Sequence, residues 1–132
     1  MKIKPKCGCG GAPDLMFCCS GAADTAEIAE RAVRELHKAN AAKMFCLAGI
    51  AGDVELIVVN SQAANRMLVV DGCDSDCAKK TMQKHGFNDF VHFRVTDMGW
   101  EKGKTPVTTD RVAEAAARFR TLLQEAPPRA KA

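Results

Sequence analysis

The chain has 132 residues, of which 47% are hydrophobic and 27% charged, a length that suits one compact domain. A domain of this size buries enough surface to fold without disulfides or metal, so a bound metal would point to function. The formal net charge is only +3 and aromatic residues make up 5%, which argues against nucleic-acid binding. The sequence has no apolar run of about 18 residues and no export signal at its basic start, so we expect neither a membrane span nor secretion.

Cysteine is the anomaly in the composition. Seven cysteines occur in a chain that we expect in the reducing cytoplasm, where stable disulfides are uncommon. An odd number of cysteines also does not fit a closed disulfide framework. Metal binding or thiol chemistry is the better interpretation, and a metal ion is the one partner that the composition suggests. Protein partners cannot be read from it.

Apolar runs and glycines divide the first half of the chain. Residues 1–13 are basic and rich in glycine, which predicts a flexible arm. Residues 15–19 form an apolar run typical of a buried strand, and the chain then turns at Ser20-Gly21. An amphipathic helix is predicted from about residue 22 to 36, and a second strand over residues 44–48, ending at glycine.

The segment 54–66 is ambiguous, since Leu-Ile-Val-Val favours a strand and the polar residues after it favour a helix. Two parallel strands need a crossover of about a dozen residues, so we expect a helix here. The remaining predictions are a strand over 67–70, a helix from 75 or 76 to 84, a half-exposed strand over 91–96, and a helix over 109–124.

This alternation of strands and helices predicts an α/β fold. We expect a single three-layer Rossmann-like domain over residues 14–125, with a mainly parallel sheet of about four strands. The arm at residues 1–13 precedes this domain, and the prolines after the last helix predict a disordered tail at residues 126–132.

Four cysteines map onto one region of the predicted sheet. Cys19, Cys46 and Cys73 lie at or near the carboxyl ends of three strands, and these ends share the edge where such folds bind ligands. Cys77 follows Cys73 by four residues, so one helical turn would bring both onto the same face. Four thiolates match a tetrahedral Zn²⁺ site.

Helix N-termini next to Cys19 and Cys73 should lower the pKa of both thiols, and Lys79 and Lys80 would add positive charge nearby. Other candidates carry less weight. Cys18 should point into the core, and Cys7 and Cys9 form a C-x-C pair that either recruits a soft metal or is incidental. Structural roles are expected for the three histidines, His37, His85 and His92.

Three segments carry a resemblance to a known family: Phe17-Cys-Cys-Ser-Gly21, Lys43-Met-Phe-Cys-Leu-Ala-Gly-Ile50 and Asp71-Gly-Cys-Asp-Ser-Asp-Cys-Ala-Lys-Lys80. They resemble blocks of the DGC-domain family, named after the motif that stands here as Asp71-Gly72-Cys73. The similarity spans about residues 14–101. Members of this family are regarded as zinc-binding through four cysteines. The resemblance implies the ligands Cys19, Cys46, Cys73 and Cys77, and it implies no established reaction.

Two other functions remain open at this point. Cys19 could be the nucleophile of a thiol enzyme for sulfur transfer, disulfide exchange or oxyanion reduction. However, Asp24 and Thr25 stand where low-molecular-weight tyrosine phosphatases and related arsenate reductases have an arginine. An iron-sulfur cluster on the same four cysteines is the other alternative, although the spacing does not match ferredoxin patterns.

Overall fold

The computed structural model describes residues 12–130, in which four strands form one parallel sheet. The strands are β1 (Leu15–Cys18), β2 (Lys43–Met44), β3 (Met67–Asp71) and β4 (Val91–Arg94), in the spatial order β2-β1-β3-β4. β1 and β3 are central and pair over four residues, from Leu15 with Met67 to Cys18 with Val70. The predicted parallel α/β sheet is therefore confirmed.

Within residues 12–130, five helices connect or follow the strands: α1 (Asp24–Lys38), α2 (Leu47–Ala51), α3 (Glu55–Gln62), α4 (Cys77–Lys84) and α5 (Thr109–Glu125). A 3-10 turn, Val95–Met98, follows β4. The predicted helical crossover in segment 54–66 is confirmed as α3. The fourth strand ends two residues earlier than predicted because this turn begins at Val95.

The sheet separates two hydrophobic cores, which makes the three layers. Met16 and Cys18 of β1 face α1 and α5, whereas Leu15 and Phe17 face the side of α2, α3 and α4. This alternation follows from the two-residue period of a strand. Cys18 is only 7% exposed, so the expectation that it belongs to the core is confirmed.

The second predicted strand differs in type from the prediction over part of its length. The strand ends at Met44, and residues 47–51, partly predicted as strand, form helix α2. Cys46 caps this helix by accepting a hydrogen bond from the Gly49 amide. Gly49 also packs so closely on Ile57 of α3 that a Cβ would lie 2.8 Å from its side chain. Packing between α2 and α3 therefore overrides the local preference for strand.

Residues 126–130, within the segment expected to be a disordered tail, contact the domain. Arg129 donates hydrogen bonds to the carbonyl oxygens of Ser61 and Ala64 and forms an ion pair with Asp89 at 3.0 Å. The predicted arm at residues 1–13 lies almost wholly outside the described residues. No helix within 12–130 combines the length and apolar character needed to cross a bilayer.

Candidate functional site

A cavity of about 580 Å³ opens at the carboxyl edge of the sheet. It lies where β1 and β3 end and where α1 and α4 begin, which is the usual position of a ligand site in an open α/β sheet. Three of the four predicted cysteine ligands, Cys19, Cys73 and Cys77, line this cavity. The structure thus brings together thiols that are up to 58 positions apart in the sequence, as the difference between 77 and 19 gives.

Cys19 directly follows β1 and is half-buried. Its amide donates to the Val70 carbonyl oxygen at 3.0 Å, and its Sγ accepts a hydrogen bond from the Gly72 amide at 3.1 Å. Burial raises the pKa of the Cys19 thiol, and the neighbouring carboxylate of Asp71 acts in the same direction. The expected lowering of this pKa by the helix N-terminus is therefore wrong, because desolvation outweighs the favourable hydrogen bond.

Cys73 lies in the loop between β3 and α4. Hydrogen bonds from the backbone and hydroxyl of Ser75 lower the pKa of this thiol, and Lys102, whose Nζ lies 3.8 Å from its Sγ, adds to the effect. The expected direction of the shift is confirmed for Cys73, although its main cause is Ser75. Lys102 was missed by sequence reasoning, which pointed to Lys79 and Lys80 as the nearby cations.

Cys77 is the first residue of α4 and is exposed. It does not share a helix face with Cys73, because Asp76 between them adopts a left-handed conformation with φ of 55° and the helix starts only after it. The prediction that one helical turn brings these two cysteines onto the same face is therefore wrong. Both nevertheless line the cavity.

Cys46 stands apart from the other three. It is exposed, and its Sγ accepts the Gly49 amide at 3.3 Å, whereas its neighbour Leu47 lines the cavity. Within residues 12–130, one group of at least three ligating side chains has its donor atoms within 4.8 Å of one another, and it is formed by Asp71, Asp76 and His92. The four thiols are not gathered that tightly. All of them are free thiols.

Asp71 is the centre of the Asp71-His92-Asp76 group. Its carboxylate is 1% exposed and accepts hydrogen bonds from the amides of Ala78 and Lys79, at 2.7 and 3.1 Å, so it caps α4 from the end of β3. The same carboxylate lies 2.8 Å from His92 Nε2. The aspartate of the DGC motif thus fixes the start of the helix that carries Cys77.

Asp76 is held by a two-pronged contact with Arg94 of β4, at 2.7 and 2.6 Å. This contact lowers the pKa of the Asp76 carboxyl. Since both carboxylates of the group already have charged or amide partners, the group joins α4 to the edge strand, which agrees with the structural role expected for His92. The other two histidines also make local contacts, His37 with the Met44 amide and His85 with Asp53.

Asp24 positions the loop that carries Lys102. This first residue of α1 accepts hydrogen bonds from the amides of Gly103 and Thr105, at 2.9 and 3.0 Å. These two amides lower the pKa of the Asp24 carboxyl. The contact spans about 80 positions of sequence, so no local pattern could have revealed it.

Comparisons with known proteins agree with the motifs at this cavity. The profile of the DGC domain matches residues 15–119. The anaerobic and virulence modulator AnvM of Pseudomonas aeruginosa is 32% identical over 88 residues, which cover 67% of each chain. No solved structure shows significant similarity to this chain. The profile match, which covers most of the chain, shows that the protein belongs to the DGC domain family.

Proposed function

We propose that this chain is a cytoplasmic zinc-binding protein, with Cys19, Cys46, Cys73 and Cys77 as the ligands of one ion. The observation that carries the proposal is the convergence of Cys19, Cys73 and Cys77 on one cavity at the carboxyl edge of the sheet. Free thiols of this kind suit a thiophilic ion such as Zn²⁺. The resemblance to a family regarded as zinc-binding supports the same ligand set.

Cys46 is the fourth ligand in this proposal, and it must move to reach the ion. Its exposed thiol accepts a hydrogen bond from the Gly49 amide, which a small rotation of the side chain would break. The adjacent Leu47 already lines the cavity. A neutral hydrogen bond is worth roughly 1 kcal/mol, far less than a zinc-thiolate bond contributes at a structural site.

Four thiolates would leave no coordination position for water, so hydrolytic zinc chemistry is not part of the proposal. Metal handling, metal sensing and a structural role all suit a closed site. The raised pKa of the Cys19 thiol adds a pH dependence, because zinc binding must displace its proton and should weaken as the pH falls.

A thiol enzyme with Cys19 as nucleophile receives less support. A nucleophilic cysteine needs a substantial thiolate population near neutral pH, which burial of Cys19 opposes. Cys73 has the lower thiol pKa, and it lies beside Lys102.

Metal content of anaerobically purified protein tests the proposal. We expect one zinc ion per chain in the wild type and a sharp loss of zinc in Cys73→Ser. Zinc binding should also weaken in each of the variants Cys19→Ser, Cys46→Ser and Cys77→Ser, since each variant leaves three thiolate ligands instead of four.

The double variant Cys7→Ser/Cys9→Ser is the matched control, because it removes two thiols from the arm and none from the cavity. It should keep one zinc ion per chain. Metal loss in this double variant together with retention in Cys73→Ser would move the site to the arm. Only trace metal in the wild type would reject the proposal, and a brown protein that contains iron and sulfide would replace zinc by a cluster.

A further inference from the structure

The cavity contains a second set of groups that the zinc proposal does not use. The loop before α1, Thr25 and Lys102 all line the cavity beside the thiols. We propose that this set of groups binds the phosphate or sulfate group of a small organic ligand. The inference goes beyond the zinc proposal and does not require that a metal is bound.

The buried hydroxyl of Thr25 is the observation that points to a missing partner. Thr25 is 0% exposed, lines the cavity, and its Oγ1 has no hydrogen-bond partner among the described residues. A buried hydroxyl without a partner costs free energy, so native structures keep few of them. A ligand oxygen in the cavity would accept the hydrogen bond that Oγ1 lacks.

The start of α1 supplies further donors. Its N-cap residue is Ala23, which has no side chain able to cap the helix. In the part of the chain that the structure describes, the amides of Gly21, Ala22 and Ala23 donate to no protein acceptor, and all three residues line the cavity. The N-terminus of a helix of this length carries a partial positive charge and favours a phosphate-like anion.

Lys102 provides the full positive charge. Its loop is fixed by the two hydrogen bonds from Gly103 and Thr105 to Asp24, and the exposed Lys102 lines the cavity with its Nζ 3.8 Å from Cys73 Sγ. A lysine beside a helix N-terminus is a recurrent way to hold a phosphate.

Two carboxylates also line the cavity and would repel an anion if they were free. Asp71 is engaged by two backbone amides and by His92, and Asp76 by the guanidinium of Arg94. Their charge is therefore largely compensated within the protein. Lys102 and the N-terminus of α1 therefore determine that the rest of the cavity wall favours an anion.

The size and wall of the cavity indicate more than an inorganic ion. About 580 Å³ lies within the range of small-molecule pockets and is several times the volume of phosphate. Ala22, Ala26 and Leu47 provide an apolar surface beside the polar groups. The chemistry fits a small phosphate or sulfate ester with an apolar portion.

Nuclear magnetic resonance titration of the reduced, metal-free protein tests the inference with two probes, inorganic phosphate and phenyl phosphate. We expect saturable shifts of the amides of Gly21, Ala22 and Ala23, with tighter binding of phenyl phosphate. Tighter binding of inorganic phosphate would assign the site to the free ion. The absence of saturable shifts with both probes at millimolar concentrations would overturn the inference.

Two pairs of variants identify the donors. Lys102→Gln should weaken phenyl phosphate binding about tenfold, whereas Lys104→Gln, which removes an exposed charge on the same loop, should have little effect. Thr25→Val should also weaken binding about tenfold, and Thr25→Ser, which keeps the hydroxyl, should not. If Lys102→Gln and Thr25→Val both bind phenyl phosphate as tightly as the wild type, the assignment of these two donors is overturned, even though the probe binds.

Zinc content of the same variants separates this inference from the zinc proposal. Lys102→Gln and Thr25→Val keep every cysteine, so both should bind zinc with the wild-type stoichiometry. A wild type that binds phenyl phosphate and no zinc would reject only the zinc proposal. A wild type that binds zinc and neither probe would reject only the anion site.

Discussion

Gly72 lies where the end of β3 touches the first turn of α1. A Cβ at this position would lie 2.7 Å from the Ala26 amide nitrogen and 2.9 Å from its Cα, and both atoms belong to backbone. Its amide also donates to Cys19 Sγ. The central residue of the DGC motif is therefore a glycine because the loop passes so close to α1 that no side chain fits.

We expect Gly72→Ala to lower the free energy of unfolding by about 1–3 kcal/mol, the usual cost of forcing an extra carbon into packed structure. Denaturant unfolding measures this change. Gly21→Ala is the matched control, because a Cβ there meets no atom of residues 12–130 within 4 Å, and its effect should stay within about 0.5 kcal/mol. Equal stability of the two variants would mean that the backbone at Gly72 moves away freely.

At the scale of elements, the carboxylate of Asp24 links α1 to the loop that follows β4. The amides of Gly103 and Thr105 hold the pKa of Asp24 below its ordinary value, because they stabilise the charged form. A lowered pKa in the folded state means that this stabilisation is fully present above about pH 3.9, the ordinary value for aspartate. It is lost as the pH falls through the lower folded value.

We expect the amide resonances of Gly103 and Thr105 to titrate together with a midpoint below about pH 3.9, while circular dichroism shows that the fold persists. The titration should disappear in Asp24→Asn. Asp110→Asn serves as the control, since Asp110 occupies the first turn of α5 and is exposed, and this variant should keep the titration. Resonances that still titrate in Asp24→Asn would assign the effect to another carboxyl group.

At the scale of elements, the local sequence predicts some strands and helices and not others. β1 and β3 are apolar runs buried on both faces, so composition alone identifies them. The change from strand to helix after Met44 depends on contacts of Gly49 with Ile57, which no local pattern contains. The cysteines at the ends of β1 and β3 were predictable for the same reason as the strands.

The other groups of the site depend on long-range contacts. His92 reaches Asp71 because β4 pairs with β3, and Lys102 reaches Cys73 from a loop whose amides bind Asp24. The Thr25 hydroxyl looks like an ordinary helix residue in the sequence. Its lack of a partner is visible only when the atoms around it are known.

At the scale of the whole molecule, the proposed zinc ion would join the two central strands to the helices on both sides of the sheet. Cys19 leads from β1 into α1, and Cys73 and Cys77 lead from β3 into α4. A ligand that binds only the folded state stabilises it by an amount that grows with its concentration, about 4 kcal/mol at a thousandfold excess over Kd. Zinc should therefore raise the Tm of the wild type by several degrees.

Cys73→Ser should lose this rise in Tm, because it removes a ligand at the surface of the cavity and little packing. Cys18→Ala is the informative control, since Cys18 adjoins Cys19 but points into the core, where burial raises its thiol pKa to about 12. This variant should have a lower Tm without metal, because it leaves a small cavity, and should still respond to zinc. Differential scanning calorimetry with and without zinc measures both quantities. A zinc response that persists in Cys73→Ser and is lost in Cys18→Ala would place the ion inside the core and contradict a site at the carboxyl edge of the sheet.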